Sequence, residues 1–228
     1  MPRLPGLPQV EIQLRRSARA RRLSLRVSRA DGSVTLTLPQ RMREAAAMAF
    51  LSQHEDWLRQ TLAARPVGVA ATMGTVLPVG GLPVTLATGA GRTPRIEGDC
   101  LILPGDPARA GVKAQAFLKA LARDRLAASC DRYAGMLGRS YTALTLRDTR
   151  SRWGSCTANG RLMFNWRLVM APPSVLDYVA AHEVAHLAQM NHGPEFWATV
   201  THLFPGYEVQ RRWLRTQGET LHRYRFAA

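Results

Sequence analysis

Lysine is almost missing from this chain. Of its 31 basic residues only Lys113 and Lys119 are lysine; the others are arginine, set against 16 acidic residues. The net charge of +15 admits a nucleic-acid partner, because a basic surface gains affinity for phosphate by releasing counterions. Arg15, Arg16, Arg19, Arg21, Arg22, Arg26 and Arg29 cluster in a way that suits such contact. GC-rich codon usage in an alanine-rich chain produces the same arginine excess, so charge alone does not establish that partner. Cysteine is scarce too. Cys100, Cys130 and Cys156 are odd in number, widely spaced and form no C-x-x-C pair, which excludes a disulfide framework and a cysteine-based metal site. They fit free thiols in a reducing cytoplasm. No run of eighteen apolar residues exists, so no transmembrane helix is expected. The opening Met-Pro-Arg-Leu-Pro-Gly-Leu-Pro lacks the apolar core of a secretion signal.

Three of the six histidines fall within residues 182–192, His-Glu-Val-Ala-His-Leu-Ala-Gln-Met-Asn-His. On a helix, His182 and His186 sit one turn apart on the same face, where both imidazoles can reach one metal ion. Glu183 lies about 100° round the helix, so its carboxylate can stay off the metal and take a proton from a metal-bound water. This is the H-E-x-x-H arrangement of zinc hydrolases. The spacing predicts a helix over 174–190, preceded by Pro172 and Pro173, capped by Ser174 and supported by Asp177. Its sequence is apolar nearly all round, which predicts a buried helix, where ionisable side chains are costly unless something pairs with them.

A catalytic zinc site needs a third protein ligand and an open fourth position. His192, six residues after His186, is the favoured third ligand, with Asn191 predicted to take a left-handed conformation and turn it back. Glu208 and Glu195 are its rivals. Ser155 and Cys156 lack a nucleophile elbow and read as structural. Tyr207, His202 and Arg152 are candidates for stabilising an oxyanion.

A chain of 228 residues suits one large or two small domains. Alternation predicts a strand at 10–14 and a hairpin from 22–28 to 34–38 around Asp31-Gly32, its arginines on the solvent face. A helix over 41–62 follows, with Met48, Leu51, Trp57, Leu58 and Leu62 as its buried stripe and His54 as a structural histidine. Residues 63–81 read as a linker, followed by short strands at 82–88 and 100–103 and a break at Pro104-Gly105-Asp106-Pro107. A long helix over 108–136 precedes three antiparallel strands within 141–168, turning on Asn159-Gly160. A short helix through Phe196 and a last helix over 208–217 close the chain. No internal repeat or low-complexity tract is evident. The expected fold is α+β, with a β-rich amino-terminal subdomain over 1–105 and a second domain over 106–228 holding a small antiparallel sheet and the histidine helix.

Several longer stretches then stand out together. They are Arg150-Ser151-Arg152-Trp153-Gly154-Ser155-Cys156, Phe164-Asn165-Trp166-Arg167-Leu168, Asp177-Tyr178-Val179 leading into His182-Glu183-Val184-Ala185-His186-Leu187, then Asn191-His192-Gly193 and Phe196-Trp197. In that order the chain resembles the bacterial YgjP-like metallopeptidase domain family, most densely from Arg150 to Leu214. Gly193 stands where serine is common in that family. The family is grouped with zincin-type metallopeptidases and is similar to the SprT-like DNA–protein-crosslink proteases. The resemblance implies a zincin-like catalytic domain, zinc held by His182, His186 and His192, Glu183 as general base, and a peptide or protein substrate. Zincins hold substrate extended along an edge strand, which here is expected at 162–168. Two rival readings are a zinc hydrolase of a non-peptide bond, such as a nucleotide phosphoanhydride, and a nucleic-acid-associated module with structural zinc.

Overall fold

A computed structural model describes residues 6–28, 32–63 and 68–226. The chain divides into two compact units, 1–67 and 68–228. Each mixes helices with small sheets, an α+β architecture. Among the described residues no helix is long and apolar enough to cross a membrane.

The first unit is a three-stranded sheet with two helices. Strands β1 (Ile12–Ser17) and β2 (Ser24–Val27) flank β3 (Val34–Pro39), β1 parallel to it and β2 antiparallel. Alternation puts Val34, Leu36 and Leu38 in the core with Ile12 and Val27, while Arg15, Arg26, Thr35 and Thr37 share the opposite face. Asp31, half of the expected hairpin turn, lies outside the described residues, as does Arg29; Gly32 turns with φ 76°. The single helix expected over 41–62 is two, α1 (Glu44–Gln53) and α2 (Glu55–Ala63). The break falls at His54, whose ring stacks on Phe50 at 4.1 Å and whose Nδ1 lies 2.9 Å from the Phe50 carbonyl oxygen. Glu55 and Asp56 then start α2 with the acidic residues that a helix N-terminus favours. This break rotates Trp57 out of the expected stripe to 45% exposure, and the buried residues are Ala47, Leu51 and Leu58.

The second unit begins where a linker was expected. Strands β4 (Val69–Ala70) and β5 (Val76–Val79) fall within 63–81, followed by β6 (Leu82–Ala87), β7 (Arg95–Glu97) and β8 (Cys100–Ile102), which form a sheet ordered β5-β6-β8-β7. The boundary expected at 105 lies inside this unit. Leu77, Leu86 and Leu101 share one core with Leu118 and Leu126 of helix α3 (Ala110–Met136), so the Pro-Gly break is a turn and not a division. The β5–β6 turn reaches the segment before the histidine helix: Gly80 and Gly81 donate to the carbonyls of Val169 and Met170 at 2.8 and 3.0 Å. Gly81 has φ 79° and a Cβ there would lie 3.1 Å from Pro172, so glycine is required twice over.

Beyond α3, strands β9 (Ala143–Arg147) and β10 (Gly154–Cys156) flank β11 (Arg161–Asn165). The expected all-antiparallel sheet is mixed, because β9 runs parallel to β11 and only β10 is antiparallel. A 3-10 turn, Trp166–Met170, leads to α4 (Pro173–Ala185), then α5 (Pro194–Leu203), α6 (Glu208–Thr216) and β12 (Tyr224–Arg225), which pairs with β4. Arg167 is 7% exposed and braces this end of the unit. Its guanidinium grips Asp148 with two hydrogen bonds, at 2.7 and 3.0 Å, and donates to the carbonyls of Leu221 and Tyr224. Burial pushes the Asp148 carboxyl up, but the hydrogen bonds and charge of Arg167 outweigh it and leave it below its usual value.

Candidate metal centre

Helix α4 starts at Pro173, not at Ser174, and has no side-chain cap. Proline suits the first turn because its missing N–H would have no partner there. Asp177 does other work: it accepts a hydrogen bond from Ser129 Oγ at 2.5 Å and pairs with Arg132, which ties α4 to α3. The helix ends at Ala185, five residues short of expectation. The last turn tightens, with Leu187 and Ala188 donating to the carbonyls three residues back. Among the described residues no non-glycine has positive φ, so Asn191 does not make the expected left-handed turn. Gly193 instead donates to the Asn191 carbonyl at 2.8 Å as α5 begins, and this short loop brings His192 round.

His182, His186 and His192 each offer one ring nitrogen, and these atoms lie within 4.8 Å of one another. Neither Glu208 nor Glu195 joins the group. His182 Nε2 and His192 Nε2 are 3.2 Å apart. Two ligand nitrogens at about 2.0–2.1 Å from a tetrahedral ion stand about 3.3–3.4 Å apart, so this pair already has the spacing of such an edge. His186 Nδ1 lies 3.0 Å from the Gln189 carbonyl oxygen, which fixes its proton there and leaves Nε2 with its lone pair free. Burial, then the neighbouring His186 and His192 charges and Arg211, pull the His182 pKa down to about 3; burial also lowers that of His186. Both are therefore neutral at pH 7, the form that binds a metal. His182 Nδ1 is buried and has no hydrogen-bond partner. The donor set fits a divalent cation.

Glu183 is 5% exposed, and burial pushes its pKa up to about 8 against a weaker pull from Arg152. It faces β10. A Cβ added at Gly154 would lie 2.5 Å from Glu183 Oε1, so only glycine at this edge-strand position admits the carboxylate. A divalent cation among the histidines would act against that upward shift, because a nearby opposite charge favours the ionised carboxylate.

The sequence reading missed Gly154, although a glycine inside a strand is the usual sign of close approach. It also missed Tyr178, whose ring meets His182 edge-on at 6.0 Å and stacks on Tyr207 at 5.9 Å, with Trp197 stacked beyond at 5.2 Å. Of the oxyanion candidates, Tyr207 is buried in that stack, His202 is exposed on α5, and Arg152 is the one whose charge reaches Glu183. Burial, with the Glu183 charge, raises the Cys156 thiol to about 11, which disqualifies it as a nucleophile at neutral pH. The expected substrate strand at 162–168 is corrected as well. Strand β11 is the central strand of its sheet; the edge beside Glu183 is β10.

A histidine trio on the helix and loop of an α+β unit, with a buried carboxylate next to the first histidine, defines a metal-dependent hydrolase type of site. The YgjP-like metallopeptidase domain model matches residues 21–217, and the chain belongs to that family. The family implies a divalent metal. Comparison with curated proteins gives no match. Among solved structures, the chain is similar to the metallopeptidase zymogen of Pyrococcus abyssi abylysin at 19% identity and a TM-score of 0.37, over 40% of this chain and 95% of that one. The assignment rests on the family match.

Proposed function

We propose that this metallopeptidase is a zinc enzyme in which His182, His186 and His192 hold the ion and Glu183 is the general base. The observation that carries the reading is the convergence of three imidazoles beside one buried carboxylate. Three histidines and no cysteine make a ligand set that suits catalytic zinc. Zinc, when bound, supplies a Lewis acid that polarises the scissile carbonyl and acidifies a water.

This chain's own groups account for the rest. The Glu183 carboxylate takes the proton of the attacking water and delivers it to the leaving nitrogen. Gly154 gives the carboxylate room. The alternation of an antiparallel pair turns the main-chain groups of Gly154 and Cys156 away from β11, since Trp153 accepts from Asn165 and Thr157 donates to Arg161 across the pair. A substrate strand hydrogen-bonded there would lie extended beside Glu183, with backbone contacts that depend little on sequence.

The test is proteolysis of unfolded protein by zinc-loaded wild type and Glu183→Gln. Zinc content is expected to be equal in both, with turnover down by about 10²–10⁴-fold in the variant. Near wild-type turnover in Glu183→Gln would remove Glu183 from the base role.

A further inference from the structure

Two cavities open along β10, one at each end, and both reach the histidine helix. The first, of about 220 Å³, is lined by Trp153, Gly154, Tyr178, Val179, Leu214 and the side of α4 that carries His182 and Glu183. Apart from the two site residues its walls are apolar or aromatic. The second, of about 450 Å³, is lined by His186, Met190 and two turns, which contribute Arg139, Ser140, Thr157 and Asn159. No carboxylate lines it, and among the described residues no carboxylate pairs with Arg139. Gly154 belongs to the first cavity and Thr157 to the second. Gly154 and Thr157 are three positions apart along the extended chain, about 10 Å.

We propose that the site selects an extended peptide with an apolar side chain on one side of the scissile bond and an aspartate or glutamate about three residues away on the other. This rests on the peptidase reading and on β10 as the substrate edge. Main-chain pairing along β10 fixes the register, and the two cavities then receive side chains from opposite sides of the reacting bond. The smaller cavity takes a side chain of leucine or phenylalanine class against Trp153, Tyr178 and Leu214. Water would solvate any polar group better than those walls do. In the larger cavity Arg139 is the one fixed charge, and its guanidinium forks onto a carboxylate while Ser140, Thr157 and Asn159 supply neutral partners. Arg139 is exposed and follows Gly138 (φ 59°) after α3, so it reaches the cleft from outside the core.

The experiment digests a library of unstructured peptides with the zinc-loaded full chain and reads the cut sites by mass spectrometry. Wild-type sites are expected to be enriched in Asp or Glu on one side and in Leu, Met or Phe on the other. Arg139→Glu, a surface change, is expected to lose the acidic enrichment, turn toward Lys or Arg there, and keep the apolar preference. Its kcat/KM on an acidic peptide should fall by at least about fivefold. Leu214→Ala, which widens the smaller cavity, should shift only the apolar preference, toward larger aromatic side chains. Cleavage without acidic enrichment, or an unchanged profile in Arg139→Glu, overturns the subsite assignment and leaves the peptidase reading standing. Failure of the wild type to cut any peptide overturns both.

Discussion

Sheets β1–β3 and β9–β11 follow one plan: the third strand is central, the first runs parallel to it and the second antiparallel. Each hairpin turns on a glycine of positive φ, Gly32 at 76° and Gly160 at 74°. From each glycine, 22 residues lead to a His-Glu pair, His54-Glu55 in the first unit and His182-Glu183 in the second. The outcomes differ because of a few side chains. Helix α4 runs unbroken through its pair, whereas in the first unit the helix stops at Gln53 and His54 folds back onto Phe50. Glu55 makes a salt bridge with Arg59 at 2.9 Å, while Glu183 is buried without one among the described residues. Four residues after the first histidine stands Leu58 in one unit, fully buried, and His186 in the other. Opposite Leu36 in the strand pairing is Leu25; opposite Phe164, at the matching place, is Gly154. A His-Glu pair on a hairpin-and-helix frame is therefore not enough. The frame becomes a candidate metal centre with a second histidine one turn on, a third from the following loop, and a glycine that admits the carboxylate.

The sharpest way to break this comparison is at Gly154. Gly154→Ala puts a methyl 2.5 Å from Glu183 Oε1 and is expected to cost about 10²-fold in peptidase turnover, with metal content near normal. Leu25→Ala, its half-buried counterpart, is expected to lower stability by about 1–2 kcal/mol in denaturant unfolding and leave turnover alone. Wild-type turnover in Gly154→Ala would mean that the carboxylate does not need that space.

A smaller effect is expected at Asp148. Its folded pKa lies below the unfolded value, so its pairing with Arg167 contributes stability at neutral pH that is lost as pH falls through the folded value. Asp148→Asn should lower the melting temperature near pH 7 and narrow the gap to wild type below about pH 4. A constant gap across that range would contradict the linkage. The smallest effect is expected from His54→Ala, which removes the first unit's histidine and should leave metal content and turnover unchanged.

Much of the site was legible because it is local. The spacing of His182, Glu183, His186 and His192 is a matter of helix turns and one short loop, and each residue type is chemically distinctive. Less legible was everything set by tertiary approach. Alternating hydrophobicity places Leu144, Leu146, Leu162 and Phe164 on strands, but it does not distinguish a parallel neighbour from an antiparallel one, so the direction of β9 was missed. The composition of 63–81 suggests a linker, yet Leu77 and Val79 gain their order from a core completed by residues far along the chain. The shared plan of the two sheets was invisible because hydrophobic patterning repeats where residue identity does not. The end of α4 was misplaced because the expected turn used Asn191, while the helix closes by tightening at Leu187 and Ala188.

The most direct test of the central claim is the zinc content per chain, by elemental analysis after reconstitution and desalting, of wild type, His192→Ala and His54→Ala. About one zinc is expected in wild type and in His54→Ala, with a marked loss in His192→Ala. Full retention in His192→Ala, or loss in His54→Ala, would contradict a centre built from His182, His186 and His192.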